Sequence, residues 1–397
     1  MEILKQRVLQ HCRIYHSEVV AMRRYLHMNP ELAFEENNTA DFICRKLDEY
    51  GIPYKRNVAK TGVVGLIEGK RKNKVIALRA DMDALPIKEA NDVPYKSKNE
   101  GVMHACGHDA HTAVLLGAAK ILNEMKGQLD GSVKLIFQPS EEAFPGGAKA
   151  MIEAGVLDNP AVSHVIGEHV LPTLESGKVG FRAGMYMAST DEIYLTVKGK
   201  GGHAATPDLN VDSVLMASHI VVALQQLVSR NAPPWIPSVL SFGRVIADGR
   251  TNIIPDKVTI DGTFRTFNEE WRKEAHQLIK RIAQDTAKAM GGECEVRIEH
   301  GYPFVVNDTA LTERLKRYAK EYLGERKVVD LDLRMTAEDF AYYTHKVPSV
   351  FYRLGTKTRG KEVTNLHTPV FDIDEDALYK GMGLMAYMTY RQLEEMI

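Results

Sequence analysis

The stretch that decides the fold runs Lys74-Val75-Ile76-Ala77-Leu78-Arg79-Ala80-Asp81-Met82-Asp83-Ala84-Leu85-Pro86. Its apolar part is short and continuous, the pattern of a strand covered on both faces. Asp81 and Asp83 follow at the carboxyl end. Open α/β sheets gather ligands beyond the carboxyl ends of their strands, so two acids here point to a binding site as well as to a parallel sheet. One such pair could equally be a solvated turn, but the pattern recurs. Val133-Lys134-Leu135-Ile136-Phe137 reads as a second buried strand and is followed at once by Gln138-Pro139-Ser140-Glu141-Glu142. Ser163-His164-Val165-Ile166-Gly167 reads as a third and leads to Glu168-His169. Three strands are thus expected to end in ionisable groups. Adjacent carboxylates such as Glu141 and Glu142 repel, and are tolerated when they diverge or when a cation lies between them.

Between the first two strands stands Met103-His104-Ala105-Cys106-Gly107-His108-Asp109-Ala110-His111. A thiol, three imidazoles and a carboxylate cost free energy to bury together unless something binds them. Cys106 and His108, separated by a glycine that removes steric bulk, can turn sulfur and nitrogen toward one metal ion. Alone, a Cys-x-His pair also fits a structural cysteine or an inert polar loop. Amphipathic helices are expected over 3–28, 38–50 and 112–126, the second closed by Gly51 with Pro53 beyond.

Past about residue 186 the apolar period changes. Residues 191–199 alternate, as in a strand with one exposed face. A helix (211–230), two strands (238–246 and 257–267), a helix (269–290) and a strand (293–299) follow, which is the β-α-β-β-α-β order of ferredoxin-like domains. The expected organisation is an α/β, mostly parallel-sheet catalytic domain over 1–186 and 301–397, with an α+β domain inserted over 187–300. After 301 come a helix (309–323), a strand (349–354) closed by Gly355, a loop carrying Leu366-His367-Thr368-Pro369, and a last helix (374–396). At 397 residues, two cores are the natural expectation.

Charge is balanced, 51 Lys and Arg against 52 Asp and Glu, so no global field favours nucleic acid or an anionic membrane and a small molecule is the expected partner. The four cysteines are scattered, with no spacing that suggests a disulfide framework. Together with a polar N-terminus and no apolar run of about 18 residues, this predicts a cytoplasmic protein.

Cys106, His108, Glu142, His169 and His367 can be assembled as one site. They are more than one four-coordinate ion with an open position takes, so two divalent ions are expected, with a shared ligand. Such a pair suits amide hydrolysis. Glu141 would be the general base and Asp83 would orient a ligating imidazole.

The ordered set Arg79-Ala-Asp-Met-Asp-Ala-Leu-Pro, Met103-His-Ala-Cys-Gly-His-Asp-Ala-His, Gln138-Pro-Ser-Glu-Glu, Gly199-Lys-Gly-Gly-His-Ala-Ala-Thr-Pro, Asn252-Ile-Ile-Pro-Asp and Leu366-His-Thr-Pro closely resembles the metal-dependent aminoacylase/carboxypeptidase amidohydrolases. It is most similar to the branch with hippurate hydrolase, N-acyl-amino-acid deacylases and plant auxin-conjugate hydrolases, over nearly the whole chain. The resemblance implies the same five ligands, with Glu141 as base, and makes the inserted domain a lid that mediates dimerisation. It gives His203, which on residue type alone reads as inert, a role in stabilising the tetrahedral oxyanion, commonly in the partner subunit. It also implies that Asn252 and Arg265 hold substrate, Arg suiting a carboxylate; Gly355 is counted with them. Many relatives carry a metal-ligating His where this chain has Asp81, which leaves Asp81 without an assigned role. A thiolate among the ligands does not separate Mn, Zn, Co and Ni. The expectation is an N-acyl-L-amino-acid amidohydrolase acting on acetyl, benzoyl or similar groups, with two divalent metal ions per subunit in a homodimer or dimer-based oligomer. The alternatives are a metallocarboxypeptidase or dipeptidase, a thiol hydrolase built on Cys106, and a non-catalytic dimeric binding protein.

Overall fold

A computed structural model describes residues 2–396. The chain opens with α1 (Glu2–Met28) and α2 (Asn37–Tyr50), then β1 (Tyr54–Val58), β2 (Gly62–Ile67) and β3 (Val75–Asp81). It continues through α3 (His108–Glu124), β4 (Ser132–Gln138), α4 (Gly147–Glu153), β5 (His164–Glu175) and β6 (Val179–Phe181). A smaller unit follows with β7 (Asp191–Lys198), α5 (Ser213–Leu224), β8 (Ser238–Ala247), β9 (Lys257–Thr266), α6 (Glu269–Ala289) and β10 (Glu293–His300). The chain returns with α7 (Thr309–Leu323), β11 (Val328–Asp330), β12 (Ser349–Lys357) and α8 (Asp376–Glu395). Two compact units result. One holds residues 2–186, 306–332 and 339–396, the other residues 187–305 and 333–338.

The larger unit is built on an eight-stranded sheet of order β1-β2-β4-β3-β5-β12-β6-β11. Its four central strands, β4, β3, β5 and β12, are parallel. Every residue of β3 and β4 is buried, which is why apolar residues dominate both, with charges only at Arg79 and Asp81 of β3 and at Lys134 of β4. Helices α1, α3 and α8 pack on one another, and α3 lies against β3. At Gly117, midway along α3, an added Cβ would lie 2.8 Å from Val19 of α1 and 2.9 Å from the Met382 sulfur of α8. The three helices therefore meet where only a glycine fits.

The smaller unit has a four-stranded antiparallel sheet of order β8-β9-β7-β10 with α5 and α6 packed on it. This is the strand order of the ferredoxin-like pattern. Along β7 burial alternates, so one face meets the helices. Arg272 on α6 grips the Asp191 carboxylate at 2.6 and 2.8 Å and donates to the carbonyls of Thr190 and Gly301, fastening the first and last strands at one corner.

Several element limits differ from those expected. Helix α3 begins at His108, not at 112, because Gly107 sits at φ 88° and turns the chain directly into the first helical turn. Helix α5 stops at Leu224, since a wider turn at Leu227–Asn231 follows. Strand β5 does not end at 167 but runs on through Glu168 and His169 to Glu175. Strand β12 likewise contains Gly355, because the Gly355 N–H donates to the Lys178 carbonyl. The short strands β1, β6 and β11, of which β6 and β11 have only three residues each, leave no clear trace in sequence.

Replacing Gly117 by Val should lower stability by about 3 kcal/mol through overpacking, read as a reduced denaturant midpoint with an unchanged slope.

Candidate metal centre

Strands β3 and β4 end at one level, while β5 and β12 run on past it. Asp81 is in register with Gln138, and Arg79 with Gly167, so His169 lies two residues past the last paired position, at the height where β3 stops. Beyond that height β5 is free on one side, and its side chains can face a site from inside a strand. Glu168 points the other way, as alternation requires. It accepts a hydrogen bond from the Tyr352 hydroxyl at 3.4 Å, and burial raises its pKa to about 8.

Four segments bring the candidate ligands together. Cys106 and His108 flank Gly107, where an added Cβ would come 2.6 Å from Val170 on β5. Glycine is therefore required both by φ and by this close approach. His367 is held in the left-handed region at φ 60°, and its N–H donates to the Ala105 carbonyl at 2.8 Å, tying its loop to the cysteine loop. Glu142 donates its backbone N–H to Asp83 at 2.9 Å. The resulting distances are short: Cys106 Sγ lies 3.4 Å from both His169 Nε2 and His367 Nε2, and Glu142 Oε1 lies 3.1 Å from His367 Nε2 and 3.9 Å from His108 Nε2.

The imidazoles are oriented by their far nitrogens. His169 Nδ1–H donates to the Val170 carbonyl at 2.8 Å, and His108 Nδ1–H donates to the Asp83 carbonyl, also 2.8 Å, with Asp83 Oδ1 at 3.2 Å. Each ring thus turns its Nε2 inward, His169 toward Cys106 and His108 toward Glu142. His111 is different. Its Nε2 accepts the Val170 N–H at 2.9 Å, so its Nδ1–H must donate to Asp81 at 2.6 Å. Both nitrogens are used within the protein, and His111 buttresses the site from behind.

Does this donor set fit a cation? The buried His108 Nε2 has no hydrogen-bond partner. Burial opposes charge on His108, yet Asp81, Asp83 and Glu142 outweigh it and carry its pKa up to about 10. Burial, followed by Glu142, Glu141 and Asp81, pushes the Cys106 thiol well above its usual range. The surroundings are therefore strongly negative, and Cys106 would ionise there against a cation. Two donor triads, Cys106/His108/His169 and Cys106/Glu142/His367, each lie within 4.8 Å and share the sulfur. The residues fit divalent metal ions.

Around the donors runs a fully buried ion network that sequence reasoning missed. Arg79 donates to Asp81 at 2.7 Å, to Gln138 at 2.8 Å and to Asp339 at 2.8 Å. Asp339 also accepts from Gln138 and from the Ala148 N–H, while its own N–H donates to Glu141 Oε1 at 3.3 Å. The role left open for Asp81 is thus ion pairing with Arg79 and a hydrogen bond with His111. One signal was available: Arg79 is a charge inside an otherwise apolar strand.

The remaining sequence candidates lie elsewhere. His203 and Asn252 are exposed and adjacent in the smaller unit, where His203 pairs with Ile253 and the Ala204 N–H donates to the Asn252 carbonyl. Arg265 is half-buried on β9, and desolvation lowers its pKa. Gly355 faces backbone: an added Cβ would lie 2.3 Å from the Glu175 carbonyl oxygen. Among the described residues no helix is long and apolar enough to cross a membrane.

Residues 77–391 match the description "Peptidase family M20/M25/M40". The chain is 42% identical over 386 residues to IAA-amino acid hydrolase ILR1-like 4 of Arabidopsis thaliana, covering 95% of this chain and 86% of that protein. It is 43% identical over 291 residues to an N-acyl-L-amino acid amidohydrolase of Geobacillus stearothermophilus, covering 73% and 78%. The crystal structure of the Bacillus subtilis YXEP protein, a dinuclear metal-binding peptidase of the M20 family, superposes with a TM-score of 0.83 at 37% identity, covering 97% of this chain and all of that one. Fold, donor set and relatives together define a metal-dependent hydrolase of amide bonds. The chain belongs to peptidase family M20/M25/M40.

Arg79→Met would leave two buried carboxylates without their cation, and should destabilise the fold by about 3–5 kcal/mol in chemical denaturation.

Proposed function

We propose that this enzyme hydrolyses the amide bond of N-acyl-L-amino acids, with Cys106, His108, Glu142, His169 and His367 holding two divalent ions and Glu141 acting as general base. The observation that carries the reading is the convergence of those five donors beside the Glu141 carboxylate, with His108, Glu141 and Glu142 offering donor atoms within 4.8 Å of one another. Two bound divalent ions would supply Lewis acidity, lowering the pKa of water and polarising a carbonyl. The protein does the rest. Glu142 turns its carboxylate to His108 and His367, while the Asp339 N–H donates to Glu141 Oε1 and so orients that carboxylate. Glu141 takes a proton from the attacking water and returns it to the departing amide nitrogen. Asp83 fixes both His108 and the Glu142 backbone.

His203, Asn252 and Arg265 are assigned to substrate handling, His203 at the oxyanion and Arg265 at the free carboxylate. Gly355 keeps its assignment near substrate through backbone only. Mn, Zn, Co and Ni all suit a thiolate, imidazole and carboxylate set. Relatives named as an N-acyl-L-amino acid amidohydrolase and an IAA-amino acid hydrolase support the acyl-amino-acid class over short peptides. A thiol hydrolase is disfavoured, since nucleophilic cysteines need a lowered pKa and Cys106 is pushed the opposite way. The homodimer remains part of the proposal. Strand β8 is an edge strand, and Val245 (55%) and Ile246 (40%) stand exposed on it, a surface that a second copy of this chain would cover.

Glu141→Gln should retain two metal ions per chain by elemental analysis while turnover of N-acyl amino acids falls by about 10²–10⁴. Chelation should abolish activity and readdition of metal restore it; full activity of metal-free protein would sink the reading. Across a substrate panel, Arg265→Lys should raise KM for N-acyl amino acids and leave their carboxamide analogues unaffected.

A further inference from the structure

Glu36 lies in the connection between α1 and α2, at the position that precedes the first turn of α2. A polar side chain there ordinarily caps the helix by accepting one of its first N–H groups. Glu36 makes no such bond. Its side chain turns into the interior and is completely buried. Oε1 accepts the N–H of Phe34 at 3.0 Å and that of Ser140 at 2.8 Å, and Oε2 accepts the Thr61 hydroxyl at 2.5 Å. A buried carboxylate bound only by neutral donors is costly, and its burial pushes the pKa up to about 7.

What that cost secures is backbone geometry. Phe34 and Ser140 both lie in the left-handed region, at φ 61° and 51°, where side-chain-bearing residues are strained. Ser140 immediately precedes Glu141. Relaxing Ser140 from 51° to the ordinary value of about −60° would rotate the chain by about 110° at the residue before the general base. The segment 140–142 is pinned at three points: Glu36 holds the Ser140 N–H, the Asp339 N–H holds the Glu141 carboxylate, and Asp83 holds the Glu142 N–H. The Glu36 connection braces the other acidic loop as well. The Ala84 N–H donates to the Glu31 carbonyl at 2.8 Å, and Leu32 forms a bridge with Ala84, one residue from Asp83.

We propose that Glu36 is a positioning residue for catalysis: its carboxylate holds Ser140 in the left-handed conformation and so aims Glu141 and Glu142 at their work. The inference rests on the reading of Glu141 as general base. It acts through acceptance of two backbone N–H groups, so shape matters and charge does not. A glutamine keeps the Oε1 acceptor, and the Thr61 hydroxyl can reverse to accept from its amide.

The test measures kcat, KM, metal content and thermal midpoint for each variant. Glu36→Ala is expected to lose about 10- to 100-fold in kcat, the cost of a misplaced catalytic group, with KM little changed and two metal ions retained. Glu36→Gln should keep near-normal kcat. Adding Ser140→Gly to Glu36→Ala should restore most of the loss, because glycine adopts positive φ without strain. If the alanine variant does not fold, Glu36→Asp takes its place, with the acceptor withdrawn by one methylene and the same rescue expected. Normal kcat per folded molecule in Glu36→Ala or Glu36→Asp, a defect in Glu36→Gln as deep as in alanine, or no rescue by Ser140→Gly would each overturn the proposal. Glu141→Gln separates the two readings: if it remains active the general-base assignment itself fails, whereas an inactive Glu141→Gln beside a fully active Glu36→Ala removes only Glu36.

Discussion

Everything at the carboxyl end of the sheet depends on one buried guanidinium. Arg79 stands in the middle of β3 with no exposure to solvent, and its planar fork reaches Asp81, Gln138 and Asp339 at 2.7–2.8 Å. Three chain segments far apart in sequence therefore meet at one cation. Arginine suits this, because five fixed N–H groups satisfy several acceptors without reorganisation and the charge cannot be lost by burial. The network matters beyond stability. Asp339, once held by Arg79 and Gln138, presents the backbone N–H that fixes Glu141, and Asp81 fixes His111, which in turn takes the Val170 N–H beside His169. A charge that faces no substrate thus sets the geometry of groups that do.

A second buried network does the same for the cysteine loop. Asp109, on the first turn of α3, binds Arg23 and His27 of α1, both at 2.7 Å. Burial opposes its ionisation, yet Arg23 and His27 hold its carboxyl well below the usual range. Arg23 also reaches Asp372 at 2.9 Å, five residues past His367. Helix α1 carries no candidate ligand, yet it joins the loop of Cys106 and His108 to the loop of His367.

The features legible in sequence were those with a local signature. Short, mostly apolar runs mark β3, β4 and β12 because both faces are buried, and the change to alternation marks the smaller unit because one face of its sheet is exposed. Donor residues were legible as types, since thiol, imidazole and paired carboxylates are rarely gathered without use. Illegible was whatever depends on register. His169 reads as lying beyond a strand, but β5 outruns β3 and carries it within the strand. Arg79 pairs with Gln138 and Asp339, 59 and 260 positions away, and Glu36 with Thr61 and Ser140, 25 and 104 positions away, and no local pattern states these partners.

Part of the backbone strain lies at the chemistry: among non-glycine residues with positive φ, Ser140 and His367 belong to the site, whereas Asn57, Ala59, Lys60 and Asn159 do not. Gly107, Ser140 and His367 all have positive φ, and each adjoins or is a residue of the donor set. Strain of this kind persists only where surrounding contacts over-determine it. At Gly107 the missing Cβ removes the penalty and the close approach of Val170 forbids any other residue. Ser140 and His367 have no such escape, and each is held by a backbone N–H given to a fixed acceptor, Glu36 in one case and the Ala105 carbonyl in the other. The donors converge because three loops are prevented from relaxing, and the acceptors that prevent it are as much part of the centre as the atoms that face the ions.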